Sequence, residues 1–193
     1  MARPKSFDES AVLDRAVELF RARGYEGTSL ADLESHLGLG RQSLYNTFGD
    51  KQALFIKVLD RYRRTTGEAM ADGLNRPDAG LEAIRDYFRV AVRNLTRENP
   101  RKGCLVANTM AERAPADPES LHRCNLTRES LERSFRRALS RARELGELPA
   151  GVNVDATATL LTIQNYGLSA LAKTGASAEE LDAAMEALLA GLG

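Results

Sequence analysis

The sequence predicts an all-α chain, with a small trihelical unit at the N-terminus and a larger helical body behind it. Three observations carry this. Apolar residues recur at helical spacing along nearly all of the 193 residues, with no sustained alternation of period two. Caps and breakers punctuate those runs where helices should start and stop. The stretch from Thr28 to Phe55 reads as a short helix, a tight turn, a second short helix and the start of a third.

The elements follow in order. Ser6 and Glu9 have capping-box spacing and open a first helix with Val12, Ala16, Leu19 and Phe20 on one face, ending at Gly24. Thr28 or Ser29 caps the second, and Ser29 with Asp32 repeats the capping-box spacing. Leu30, Leu33 and Leu37 form its buried stripe, and Gly38 supplies the left-handed residue that ends it. Leu44 and Phe48 face inward on the third helix, whose other positions are the donors and acceptors Arg41, Gln42, Ser43, Asn46 and Thr47. Such a short helix, polar outside and set after a tight turn, suits the reading helix of a helix-turn-helix.

Asp50 caps a longer helix from Lys51 through Ile56, Leu59 and Tyr62 towards Met70, and the break from Gly73 to Gly80 marks a seam. Leu81, Ile84, Tyr87, Phe88, Ala91, Val92 and Leu95 keep helical spacing, Asn99-Pro100 interrupts, and a short apolar helix runs from Gly103 to Arg113. Asp117-Pro118 starts a long helix through Leu121, Leu131, Phe135 and Leu139 to about Leu145. Gly146, Pro149 and Gly151 break it, Asn153 or Asp155 opens a helix over Ala156 to Lys173, and Ser177 with Glu180 caps a last one. Nine helices are expected.

Composition excludes several classes. With 27 basic and 27 acidic residues the chain has no global field for nucleic acid. The distribution is uneven: Arg41 to Arg64 carries six bases against two acids, and Leu145 onward carries one base against six acids. A basic front and an acidic rear fit docking on phosphates at one end. No run approaches the roughly 18 apolar residues a bilayer span needs, and no leader is recognisable, so no membrane partner and a cytoplasmic location are expected. Two cysteines make no disulfide framework, in keeping with a reducing compartment. His36 and His122 lack metal-spaced partners, and no nucleophile motif or phosphate-binding glycine loop occurs, so no metal, no cofactor and no enzyme are predicted.

The residues Gly24-Tyr25, Thr28-Ser29-Leu30, Gly38-Leu39, Ser43-Leu44-Tyr45, Phe48, Lys51 and Leu54-Phe55 together resemble the DNA-binding signature of the TetR family of bacterial one-component repressors. Two positions depart from that pattern: Glu34 replaces a small residue, and Gly40 replaces the Ser or Thr that caps the reading helix. The resemblance implies a DNA-binding head over residues 1–50 and an effector-binding, dimerising body over residues 51–193. It implies that Thr28, Tyr45 and Lys51 hold phosphates of double-stranded operator DNA, Thr28 and Lys51 at helix N-termini where the dipole favours an anion. Arg41, Gln42, Ser43, Asn46 and Thr47 would occupy the face turned to the bases, where Arg suits guanine and Gln or Asn suits adenine. Arg3 and Lys5 form a candidate basic arm, although such tails are common.

In the body, Tyr62, Tyr87, Phe88, Val106, Met110, Phe135, Leu161 and Tyr166 are candidates to line a pocket, and Asn108, Gln164 and Asn165 to orient a small, largely apolar effector. Each has core packing as its plain alternative. Cys104 follows Arg101, Lys102 and Gly103 at a helix start, where cations and the dipole favour a thiolate, so an electrophile or redox sensor is a competing reading. Cys124, beside Arg123, carries the same ambiguity. In the last two helices Leu160, Leu161, Leu168, Leu171, Leu181, Met185, Leu188 and Leu189 give more apolar surface than one bundle edge needs, and with the small residues Gly167 and Ser169 they fit a four-helix homodimer interface; the alternative is that both helices simply close the monomer core. A helical interaction module with a vestigial head is the third alternative.

Overall fold

The computed structural model describes residues 7–97 and 102–192, and every regular element among them is helical. Arg3, Lys5, Ser6, Asn99, Pro100 and Arg101 lie outside the described residues.

Three helices build the head. α1 (Glu9–Arg23) buries Val12, Ala16, Leu19 and Phe20, as their spacing requires. Its cap is Asp8, which accepts from the Ser10 amide. α2 (Leu30–Leu37) has the full Ser29–Asp32 capping box and ends at Gly38, whose φ of 66° is the left-handed conformation expected there. α3 (Arg41–Phe48) buries only Leu44 and Phe48, and Gly40 gives it no side-chain cap. α4 (Lys51–Tyr62), capped by Asp50, inserts Leu54, Phe55, Val58 and Leu59 into the same apolar cluster as α1, α2 and α3. Phe55 stands edge-on to both Phe20 and Tyr25, with centroids 4.9 Å away in each case.

The helix expected to run unbroken from Lys51 towards Met70 is interrupted. A π turn over Arg63–Gly67, closed by the Glu68 amide on the Arg63 carbonyl, separates α4 from α5 (Glu68–Ala71). Thr65, Thr66 and Gly67 are weak helix formers. The Thr65 hydroxyl also takes the Arg61 carbonyl at 3.0 Å, a side-chain contact that bends helices. A short 3-10 turn follows at Gly73–Asn75. The described residues therefore hold ten α-helices where nine were expected.

The body comprises α6 (Leu81–Thr96), α7 (Leu105–Glu112), α8 (Pro118–Glu144), α9 (Val154–Thr174) and α10 (Ala178–Ala190). α8 and α9 pack along each other, α6 lies against both, and α10 closes over α6. α6 lacks a side-chain cap of its own; Glu147, in the loop after α8, accepts from the Leu81 amide at 2.8 Å. Phe88 and Phe135 stack near parallel in the middle of this second apolar cluster, with Tyr87 edge-on to each. Short α7 touches α1, α4, α8 and α9, and so joins the head to the body.

Candidate nucleic-acid interface and effector pocket

Burying Leu44 and Phe48 turns the remaining side chains of α3 outward. Arg41, Gln42, Ser43, Tyr45 and Asn46 are exposed and Thr47 is half-buried. They form one polar surface whose geometry is already partly set. Gln42 donates to Asn46 Oδ1 at 3.0 Å, and the Arg41 guanidinium lies 5.9 Å from the Tyr45 ring centre. Tyr45 is 38% exposed, so its ring belongs to this face more than to the core. These groups offer donors and acceptors suited to base edges, as direct readout in the major groove requires.

Lys51 and Thr28 behave differently. Lys51 opens α4, with its ammonium 4.1 Å from the Tyr25 ring centre, and desolvation there lowers its pKa. Thr28 is fully buried, and its hydroxyl donates to the Gly24 carbonyl at 2.6 Å. The expectation of a phosphate contact from the Thr28 side chain is corrected: that side chain fastens the turn between α1 and α2, and Ser29 is the cap.

Behind this surface the head is bolted to α7. Glu112 accepts from the amides of Tyr25 and Glu26 at 3.2 and 2.8 Å. Arg113 lies 3.8 Å from the Tyr25 ring centre on the same joint and donates to Gln52 of α4 at 2.5 Å. On the other flank Arg21 donates to the Gly103 carbonyl at 3.0 and 3.2 Å, and Lys102 pairs with Glu18 at 2.7 Å.

Where the π turn, α6, α8 and α9 converge lies a partly open cavity of about 270 Å³. Tyr62, Tyr87, Cys104, Asn165 and Tyr166 line it, as does Val106. The Tyr87 hydroxyl donates to Asn165 at 3.0 Å, and the Tyr62 hydroxyl lies 3.6 Å from Cys104 Sγ. Burial raises the pKa of Tyr62, Tyr87 and Tyr166, so all three phenols keep their protons at neutral pH. Cys104 is half-buried in the wall, whereas Cys124 is fully buried and its thiol is pushed up to about 12, chiefly by desolvation.

Other expected lining residues lie elsewhere. Phe88 is stacked in the body core with Phe135, and Leu161 is buried there as well. Met110 packs against the apolar cluster of the head. Asn108 is a structural bridge: it donates to the Lys102 carbonyl at 2.9 Å and accepts from Lys173 at 3.0 Å. Gln164 shares the side of α9 that carries Ile163 and Gly167, away from the cavity. In each case an apolar or amide residue on a helix has two available sides, and packing chose the other. Sequence reasoning missed Arg21, Arg63, Thr66 and Ser169 as lining residues. The run Thr65-Thr66-Gly67 inside a helical pattern was the one available signal for the π turn; Arg21 gave none. No group of three potential metal ligands occurs among the described residues.

Residues 12–58 match the family model for bacterial regulatory proteins of the tetR family, and residues 80–188 match the tetracyclin repressor-like C-terminal domain. An uncharacterized HTH-type transcriptional regulator, YezE of Bacillus subtilis, is 39% identical across 94% of each chain. The chain belongs to the TetR family. Another TetR-type relative, the transcriptional repressor ComR of Escherichia coli, is 33% identical over 93% of this chain and 86% of its own length. Among solved structures, the TetR regulator CifR, a cysteine mutant complexed with 26 bp double-strand operator DNA, superimposes with a TM-score of 0.85 at 33% identity, covering 97% of this chain and 98% of CifR. The TetR-family protein described here is accordingly a helix-turn-helix transcriptional regulator and not an enzyme. None of its described helices is long and apolar enough to cross a membrane.

Proposed function

We propose that the protein is a homodimeric repressor that binds a partly palindromic operator and is released by a small, largely apolar effector. The observation that carries the DNA half is the exposed polar face of α3 behind which Leu44 and Phe48 are fully buried. Two-fold pairing would set two such faces roughly 34–36 Å apart, one turn of duplex. CifR is solved on operator DNA and ComR is named a repressor, which supports the same reading here. On this reading the head is residues up to about 50, although α4 shares its core, and the remainder is the sensing and dimerising body.

The effector half rests on the cavity against the π turn that continues α4. A ligand acts only by favouring one arrangement of the heads over another. A molecule seated against Tyr62 and the π turn would hold α4 at an angle that spreads the heads. The test is fluorescence anisotropy of the full-length protein on duplexes tiled from its own upstream region, over a salt series. Salt-sensitive binding to one duplex, far above the others, is expected; uniform binding to all of them would refute the operator reading.

A second reading keeps the scaffold and makes Cys104 the switch. It is favoured by the thiol lying in the cavity wall beside the Tyr62 hydroxyl. The operator-bound CifR chains are cysteine mutants. Operator release by an electrophile that is lost in Cys104→Ser would establish it.

A further inference from the structure

We propose that Arg113 is a positioning residue for operator binding: through the ring of Tyr25 it sets where the Lys51 ammonium meets a DNA phosphate. This rests on the reading of Lys51 as a phosphate contact. The Lys51 ammonium lies 4.1 Å from the Tyr25 ring centre, and the Arg113 guanidinium carbon lies 3.8 Å from the same point. At such distances both cations stand over the ring, where its quadrupole attracts them.

Their other partners differ. Arg113 donates to Gln52 at 2.5 Å and pairs with Glu26 at 3.2 Å and Asp117 at 3.6 Å. Lys51 has no hydrogen bond or ion pair among the described residues, so its three N–H donors are unspent. Desolvation is the main cause that lowers its pKa; Arg113 acts in the same sense, and Glu26 and Glu112 oppose it. An ammonium partly stripped of water and held by a π face gains from a partner that supplies charge and acceptors, as a phosphate does.

The ring is fixed largely from the body. Glu112 accepts from the Tyr25 amide, and the next residue, Arg113, covers the ring, while Phe20 and Phe55 meet it from within the head. Without the guanidinium, a half-buried ring can turn and the ammonium loses its support. At the other end of α7, Gly103, Cys104 and Val106 belong to the cavity wall. A shift of α7 therefore changes a phosphate contact within the head, with no change in head spacing required.

The test follows the salt dependence of binding to a mixed-sequence duplex of about 30 base pairs, since a phosphate contact is independent of sequence. In the full-length protein, Arg113→Gln and Tyr25→Leu should each weaken binding about fivefold at ~0.1 M salt and lower the salt slope as Lys51→Ala does. Adding either to Lys51→Ala should change nothing further, because the pair acts through one ammonium. Tyr25→Phe keeps the ring and should match wild type. Without DNA, the NMR signal of the Lys51 ε-methylene should lie upfield of its position in Tyr25→Leu, and Arg113→Gln should move it towards that position. Each of the two variants decides alone should the other fail to fold. An undiminished effect of either in the Lys51→Ala background, or a lysine signal unmoved by Arg113→Gln, would overturn positioning and leave the Lys51 contact standing. Wild-type affinity and slope in Lys51→Ala would overturn the phosphate reading itself and the proposal with it.

Discussion

Asp32 shows how much one side chain can fix. It accepts from the Ser29 hydroxyl at 2.6 Å and the Ser29 amide at 2.9 Å, and it pairs with Arg23. These contacts, the Ser29 hydroxyl foremost, lower its pKa from 3.8 to about 2. A depressed carboxyl stabilises the fold above its ordinary pKa and loses that contribution as pH falls through the folded value. Asp32→Asn should therefore be less stable than wild type by a constant amount above pH 3.8, with the difference vanishing as pH approaches about 2. Urea unfolding midpoints across that range check it; a difference that persists at the acid end would show that the carboxylate's charge is irrelevant. On the reading face, Gln42→Ala and Asn46→Ala should each relax base preference by about 1–3 kcal/mol at one operator position. Lys51→Ala should instead weaken all duplexes alike and lower the salt slope by about one. Anisotropy against a panel of single-base operator variants separates the two patterns.

Among the elements, α4 carries the most constraints. Its first half is locked in the head through Phe55, and its continuation forms the cavity wall. Phe55→Ala removes a fully buried ring wedged between Phe20 and Tyr25 and should cost about 3–5 kcal/mol in urea unfolding. α7 is the complementary link. Gly24 has φ +75°, and a Cβ there would sit 2.5 Å from Glu112 Oε2, so the glycine leaves room for the carboxylate that holds the loop. Glu112→Ala should leave both cores folded, because its partners are exposed backbone amides, yet loosen the head against the body. The expected result is a near-unchanged melting temperature with effector-driven operator release reduced several-fold. Unaltered release would assign the coupling to α4 alone.

At the scale of the whole molecule, an unburied apolar stripe among the described residues runs along α9. Leu160, Ile163 and Leu171 are 40%, 61% and 54% exposed, and Gly167 lies between them on the same side. Leu161, Leu168, Leu181, Met185 and Leu189, expected in a subunit interface, instead close the core of the single chain. On the proposed homodimer reading, this stripe is the surface for a second copy. Ile163→Glu combined with Leu171→Glu should give a monomer by analytical ultracentrifugation and cut operator affinity by more than a hundredfold, since one head then binds without its partner. A dimer that survives both charges would place the interface elsewhere.

Local chemistry was enough for the head. Capping boxes, the left-handed Gly38 and apolar positions at i, i+4 act within a few residues of chain, so α2, α3 and the outward set from Arg41 to Asn46 were legible from residue order. The long helices of the body were legible for the same reason, through Asp117-Pro118, Asn153 and the Ser177–Glu180 pair. The cavity was not. Whether Phe88 or Tyr87 faces a void, whether Asn108 or Asn165 turns inward, and whether Thr28 meets solvent all depend on rotations of helices distant in sequence. A helix offers several sides of similar character, and only its neighbours in space select which one is buried, which is also why Arg63 and its π turn came to light in three dimensions alone.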